Sequence, residues 1–342
     1  MTALNRKRWE KFKSHKRGYI SLWLFGILLI GSFFAEFIAN DKPLLVKYEG
    51  KYLFPIFTQY SETHFGGDFQ TEANYKDSFV QELILQKNAN YIIFAPIPYS
   101  YNTIIYDLGA PSPTAPNSKN LLGTDDQARD VFARIIYGFR ISILFGLALT
   151  LSSCIIGIVV GGVSGYYGGW VDLGFQRLIE IFAGLPVLFL LIILTNFIEP
   201  NFWWLLLIML LFSWLGIVNL VRAEFLRTRN FEYVLSAKAL GQSDHNIIFK
   251  HILPNALVAT ITFLPFILNS SIATLTSLDF LGFGLPPESP SLGELLAQGK
   301  RNLHAPWLGI TGFFVICIML SLITFVGEGL RDALDSRSEI KC

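Results

Sequence analysis

The chain has 342 residues, 52% of them hydrophobic and 15% charged, with a mean hydropathy of +0.46 and a formal net charge of +1. Long apolar runs separated by polar segments place it among polytopic membrane proteins and exclude an ordinary soluble enzyme domain. The basic residues are sorted by loop and not gathered on one face, which gives no ground for a nucleic-acid partner, and Cys154, Cys317 and Cys342 form no metal or disulfide framework.

Residues 1–18 carry Arg6, Lys7, Arg8, Lys11, Lys13, Lys16 and Arg17 ahead of an apolar run at about 19–39. At about 1.5 Å per residue that run covers a hydrocarbon core of roughly 30 Å, so 19–40 is predicted as the first membrane span. Positive residues stay in the cytoplasm, which puts the N-terminus inside. A cleaved signal peptide is the rival reading, and Glu36 to Asn40 lacks the small-residue site it requires.

Residues 41–135 then form a long extracytoplasmic insertion. Its aromatic part is predicted to be a small irregular cap, and the proline-rich piece 110–116 to be a linker. Two roles stand side by side: contact with a partner or substrate, or packing on the outer ends of the spans.

Five further spans are predicted within a core of 136–330, at about 136–164, 173–198, 203–221, 254–282 and 306–330. Six spans return the tail, 331–342, to the cytoplasm. Segments assigned inside hold Arg177, then Arg222, Arg227, Arg229, Lys238 and Lys250, then Arg331, Arg337 and Lys341; those outside after the insertion hold Lys300 and Arg301. This asymmetry supports the count. Trp203, Trp204 and Trp307 fall at outer boundaries, where an indole anchors between lipid and water.

Within the spans, Gly157, Gly161, Gly162, Gly165, Gly168 and Gly169 suit close helix approach. Glu180 needs Arg177, a neighbouring helix or water, because an unpaired acid in the bilayer costs about 2.5–3.5 kcal/mol. Pro186 and Pro265 interrupt the third and fifth spans and allow bends. Asn269, Ser270, Ser271 and Thr274 make an unusually polar stretch. It is read either as the wall of a hydrated path for a peptide-like solute or as ordinary interhelical hydrogen bonding.

The polar island inside 222–253 reads as two short helices meeting at a bend. Residues 231–240 contain no breaker, Gly241 can take the left-handed conformation that stops a helix, and Ser243 or Asp244 can cap a second piece running toward Pro254. A stiff element of this kind converts a soluble partner's movement into movement of the spans; the plainer reading is a well-capped turn. Residues 293–301 imitate a phosphate-binding loop, with one residue too many between the glycines and Arg301 where Ser or Thr belongs.

Ala237, Gly241, Leu253 and Pro254 stand at the spacing of the EAA loop of ATP-binding cassette importer permeases, which this stretch resembles. Leu235, Ser236 and His251 depart from the motif. Leu122 to Asp126 with Ala128 to Val131, Ile136 to Gly138, Arg140 to Ser142, Phe212 to Trp214, Phe280 to Pro287 and Gly329 to Asp335 extend the likeness to the dipeptide/oligopeptide "C"-type permeases. The insertion resembles their longer branch, which includes microcin C and oligopeptide uptake systems.

The resemblance implies an all-α polytopic membrane protein of the type I importer kind, with six transmembrane helices, in a bacterial inner membrane. It implies a sister permease making a heterodimer, two cassette ATPases or one fused ATPase, an external solute-binding protein and a peptide substrate. No cofactor is expected on this chain; ATP and Mg belong to the ATPases. Glu232, Ala237, Lys238, Gly241, Asp244, His251 and Pro254 are implied as the coupling loop. Of the other classes, a secondary transporter needs internal repeats and intramembrane coupling groups, and a non-transporting scaffold leaves the loop pattern unexplained.

Overall fold

The computed structural model describes residues 3–86, 89–195 and 197–334. Asp335, Arg337, Lys341, Cys342 and most of the tail lie outside them. In chain order the elements are α1 (Ala3–Ser14), α2 (Lys16–Phe33), α3 (Ala35–Ile38), β1 (Leu45–Tyr48), β2 (Lys51–Leu53), α4 (Ser78–Leu85), β3 (Tyr91–Ile93) and α5 (Val131–Tyr167). Next come α6 (Gly169–Ala183), α7 (Val187–Thr195), α8 (Phe202–Ser213), α9 (Leu215–Thr228), α10 (Glu232–Ala239), α11 (Asp244–Asn246), a π-helical stretch (Ile247–Ile252), α12 (Leu253–Leu281), α13 (Leu292–Arg301) and α14 (Pro306–Leu334).

Three of these helical segments are long and apolar enough to cross a membrane, five if each of two bent pairs counts as one span. The third predicted span is α6 and α7, bent by 62°, and the fourth is α8 and α9, bent by 40°. Pro186 lies in the first break, as its missing N–H and ring sterics require; Trp214 occupies the second. Pro265, by contrast, sits inside an unbroken α12. The first predicted span is divided at Phe34, and α2 spends its opening turn on Lys16 and Arg17, so it does not meet the same length and hydropathy test.

The described residues group into two compact units. The first comprises the described residues within 1–26, 142–286 and 317–334; the second comprises those within 27–141 and 287–316. The second unit therefore joins residues 287–316 to the insertion, a partnership that no local pattern signals.

In the second unit the expected irregular cap contains a three-stranded antiparallel sheet in the order β2-β1-β3, with Val46 opposite Leu53 and Ile92. Alternation puts Val46 and Leu53 into a buried cluster with Phe65, Tyr75, Val80 and Ile84. The proline-rich piece is pinned and not a free linker. Thr114 N–H donates to Thr124 Oγ1 at 2.9 Å, and Thr114 O accepts the Thr124 N–H at 3.0 Å. Trp307 donates its indole N–H to Thr124 O at 3.2 Å, which fixes that ring. The phosphate-loop imitation is the helix α13, and a Cβ on Gly299 would lie 2.4 Å from Gly309 N.

The segment 122–134 closes this unit through buried charge. Asp125 Oδ1 accepts the Arg129 N–H at 2.8 Å, and Arg129 Nε donates to Asp125 Oδ2 at 2.7 Å. Arg134 is fully buried and donates from Nη2 to Glu294 Oε2 at 2.6 Å and to Ser289 O at 3.2 Å. Asp130 starts α5 by accepting the Ala133 N–H at 2.9 Å.

The first unit is a helix bundle. The α5 glycines serve close packing: a Cβ would lie 2.6 Å from Ile217 Cγ2 at Gly157 and 2.7 Å from Val218 O at Gly161. Gly168 and Gly169, at φ +66° and +55°, turn the chain between α5 and α6. Glu180 finds the expected partner, Arg177, at 2.5 Å.

Replacing Arg134 with Ala is expected to lower stability by about 3 kcal/mol, because the largely buried Glu294 loses its nearer cation and keeps the farther one, Arg129, at 3.7 Å. The Arg134→Met, Glu294→Leu double variant should recover most of that loss. Thermal unfolding of the purified protein in detergent checks both.

Candidate functional site

The polar island projects from the bundle of the first unit. Helix α10 begins after Phe231 with Glu232 in its first turn and Lys238 in its last, the polarity that the helix dipole favours. Two of its side chains face inward, Val234 and Ala237. They join Val221 and Phe225 of α9, Ile247, Ile252 and Ala256. Burying the two isoleucines stabilises the loop by about 1.5–3 kcal/mol each.

Gly241 ends α10 as predicted. Its φ is +75°, its N–H donates to Lys238 O at 3.0 Å, and the Gln242 N–H donates to Ala237 O at 3.2 Å. This is the paired hydrogen-bond pattern of a glycine-terminated helix. A Cβ at Gly241 would meet nothing within 4 Å. Gly241 thus serves the bend, and Ala237 the packing.

Ser243 occupies the cap position in extended conformation, without a side-chain cap bond. Asp244 instead accepts a hydrogen bond from the Tyr166 hydroxyl at 2.6 Å. The expectation of a second short helix stopping near Pro254 is also corrected, because α11, the π stretch and α12 form one continuous helical run from Asp244 to Leu281.

The π stretch explains how a proline is tolerated there. The Leu253 N–H reaches back to Ile248 O, five residues away, and the widened turn leaves room before Pro254, which has no N–H to place. It also sets the face: in an α-helix, residues five apart lie about 140° apart around the axis, whereas the π turn brings Ile247 and Ile252 onto one buried side.

The bend is tied down on both flanks. His251 Nε2 and Gln242 Oε1 are 2.9 Å apart, and Asn255 Nδ2 donates to the Tyr233 hydroxyl at 2.7 Å. Arg229 Nη1 donates to Gly165 O at 3.1 Å and Tyr166 O at 3.2 Å, which satisfies the C-terminal carbonyls of α5. Arg222 grips Asp172 with two bonds, of 2.5 and 2.6 Å. Sequence reasoning missed Tyr166, Asp172, Arg229, Tyr233, Gln242 and Asn255. The charges of Asp172 and Arg229 beside span ends were the available signal for two of them; nothing local pairs the others.

The outer surface is apolar with a charged rim. Leu240 is 82% exposed, and Leu235, Phe249 and Tyr233 are also exposed, among Glu232, Lys238, Asp244 and Lys250. Exposed apolar surface of this kind, rimmed by polar groups, marks an interaction site.

Along the same helical run, Ser270, Ser271 and Thr274 line a cavity of about 490 Å³ with Met209, Phe212 and Phe266. Asn269 is not among its lining residues; its Nδ2 donates to Thr324 Oγ1 at 2.8 Å. Ser271 does both, lining the cavity while its Oγ lies 3.4 Å from Thr150 Oγ1 of α5, so the two readings of this polar stretch overlap.

Replacing Gly241 with Val forces a β-branched residue into the left-handed region, where even an unbranched residue costs about 1–2 kcal/mol. Hydrogen exchange should quicken at Gly241 and Gln242 and along α10 while the membrane level of the protein stays unchanged. Gly241→Asn, which tolerates that region, should retain protection.

Residues 157–340 match the family described as binding-protein-dependent transport system inner membrane component, and residues 4–62 match the N-terminal TM domain of oligopeptide transport permease C. The chain is 54% identical over 340 residues to the inner membrane ABC transporter permease protein YejE of Escherichia coli (strain K12), covering 99% of both chains. It is also 54% identical over 361 residues to the peptidoglycan transport system permease protein YejE of Agrobacterium fabrum, covering 98% of this chain and 94% of that one. The oligopeptide transport system permease protein OppC of Haemophilus influenzae is 34% identical over 250 residues, 72% of this chain and 80% of its own. The chain belongs to the inner membrane components of binding-protein-dependent transport systems, as a permease of the ABC type.

Proposed function

We propose that this permease forms half of the translocation path of an ATP-driven peptide importer and that residues 232–254 couple it to a separate ATPase. One observation carries the coupling reading: the knob's Phe249 lies in, and α10 packs through Val234 and Ala237 against, the same unbroken helical run that lines the cavity with Ser270, Ser271 and Thr274. At about 1.5 Å per residue, thirty residues of helix carry a displacement at Asp244 roughly 45 Å to Thr274. A loop joined through a flexible linker would dissipate that displacement.

In this reading Leu240, Leu235 and Phe249 fill a groove on the ATPase, with Glu232, Lys238 and Asp244 at the rim. His251 keeps the bend closed through Gln242, and Pro254 lies where the knob passes into α12. ATP and Mg are held by the ATPases, two subunits or one fused chain. Closure of the ATPases around nucleotide carries the knob with it, and α12 re-forms the cavity wall. A sister permease supplies the other half of the path as a heterodimer, and an external solute-binding protein delivers the substrate.

The substrate class rests on the relatives' names, which specify peptidoglycan and oligopeptide transport. The mixed cavity lining also suits a solute with peptide polarity and apolar side chains. Six spans are completed by α2 with both bent pairs, placing the N- and C-termini in the cytoplasm and residues 41–135 outside. The basic residues of 6–17 support that orientation.

Replacing Leu240 with Glu buries a charge at the centre of the proposed contact and leaves α10's inward face untouched. Peptide uptake and co-purification of the ATPase should both fall at least tenfold, at unchanged membrane level. Uptake equal to the unmodified protein would refute the coupling role.

A further inference from the structure

Between residues 6 and 17 seven Lys and Arg accompany one acid, Glu10, in a chain whose net charge is only +1, and Asp332 of α14 adds a carboxylate 3.7 Å from His15 Nε2. The structure gives this charge a shape. Trp9 and Tyr19 have ring centroids 6.4 Å apart, whereas ten residues along a straight helix cover about 15 Å. The chain therefore turns sharply at His15, and α1 leaves the axis of α2 as a separate arm.

The turn is built in. His15 Nδ1 accepts the Gly18 N–H at 3.1 Å, and a Cβ on Gly18 would lie 2.9 Å from Phe325 O of α14. Phe12 is buried, and its ring would lie 3.0 Å from a Cβ on Gly329. The arm thus presents a fixed outer surface. On it Trp9 stacks on Phe12 at 5.6 Å, Tyr19 meets Trp23 at 6.3 Å, and the Lys13 ammonium lies 5.6 Å from the Trp9 ring centroid. Lys13, Lys16 and Arg17 are exposed in the same stretch of chain.

We infer that α1 and the first turn of α2 form a docking surface for anionic phospholipid headgroups. Aromatic rings with an apolar body and a polar edge settle at the boundary between acyl chains and headgroups. Basic side chains beside them match the negative surface of the leaflet, and a polybasic cluster next to a span is the sequence form of that match. Free phosphate has no use for the rings, so the bilayer lipid is the occupant that fits both halves of the surface. The inference rests on α2 lying in the membrane, which belongs to the six-span reading, and is independent of the coupling role of α10.

The test uses the full chain, extracted with its partner subunits and reconstituted into nanodiscs of phosphatidylcholine alone or with phosphatidylglycerol, followed by native mass spectrometry of the retained lipid. The unmodified protein should retain phosphatidylglycerol in preference. The Lys13→Gln, Lys16→Gln, Arg17→Gln triple variant should lose on the order of a hundredfold in that preference, and the Lys13→Arg, Lys16→Arg variant should keep it. Equal retention of both lipids by the unmodified protein, or an unchanged preference in the triple variant, overturns the inference. A triple variant that keeps phosphatidylglycerol but sheds the ATPase does so as well, since the arm would then be a protein contact. Peptide-stimulated ATP hydrolysis in the same discs separates this outcome from failure of the transport reading.

Discussion

Helical continuity past Pro254 joins the loop segment from Asp244 onward to the cavity wall. A proline ordinarily ends or kinks a helix because it offers no N–H and collides with the carbonyl one turn back. Here the preceding turn widens to the π form and the run from Asp244 to Leu281 stays whole. The cost of the wider turn is offset by Ile247 and Ile252, which it brings onto one fully buried face. Phe249 at the knob and Ser270, Ser271 and Thr274 at the cavity wall thereby lie on one helical run, against which α10 packs.

The bracing around this run has a common logic. Val234 and Ala237 hold α10 by small apolar contacts, which leaves Leu235 and Leu240 exposed on its outer side. Arg229 and Tyr166 bind the loop to the end of α5, and Arg222 binds α9 to α6 through Asp172. Within the second unit the analogous fixture is ionic: Asp125, Arg129, Arg134 and Glu294 join the entrance of α5 to α13. A buried ionic cluster of this kind contributes little net stability over a packed apolar core but is very costly to leave half-made.

Much of this was legible in the sequence, where the controlling physics is local. Gly241 could be identified as a left-handed terminator because a glycine at the end of an unbroken helical stretch has few other uses. The glycines of α5 and the break at Pro186 follow from backbone sterics in the same way, and Arg177 answers Glu180 one turn away. The loop motif and the segment 122–131 were readable as family likeness, which the comparisons bear out. Tertiary effects were hidden. A proline reads as a helix start until Ile247 and Ile252 are seen to share a buried face, and Arg134 finds Glu294 across 160 residues. Strands of three and four residues in the insertion are too short to show their alternation. Hydropathy also joined α6 to α7 and α8 to α9, because composition does not register a bend.

Stiffness between knob and cavity wall is what must hold. Spin labels at Leu240→Cys and Thr274→Cys, in a background lacking Cys154, Cys317 and Cys342, report that distance by pulsed electron spin resonance in the assembled transporter. The distribution should keep its mean and width when ATP is added, while either label measured against the ATPase or the sister permease shifts. A Leu240 to Thr274 distance that moves or broadens with nucleotide would mean that the Gly241 bend or the helical run yields in use, and the lever account would be wrong.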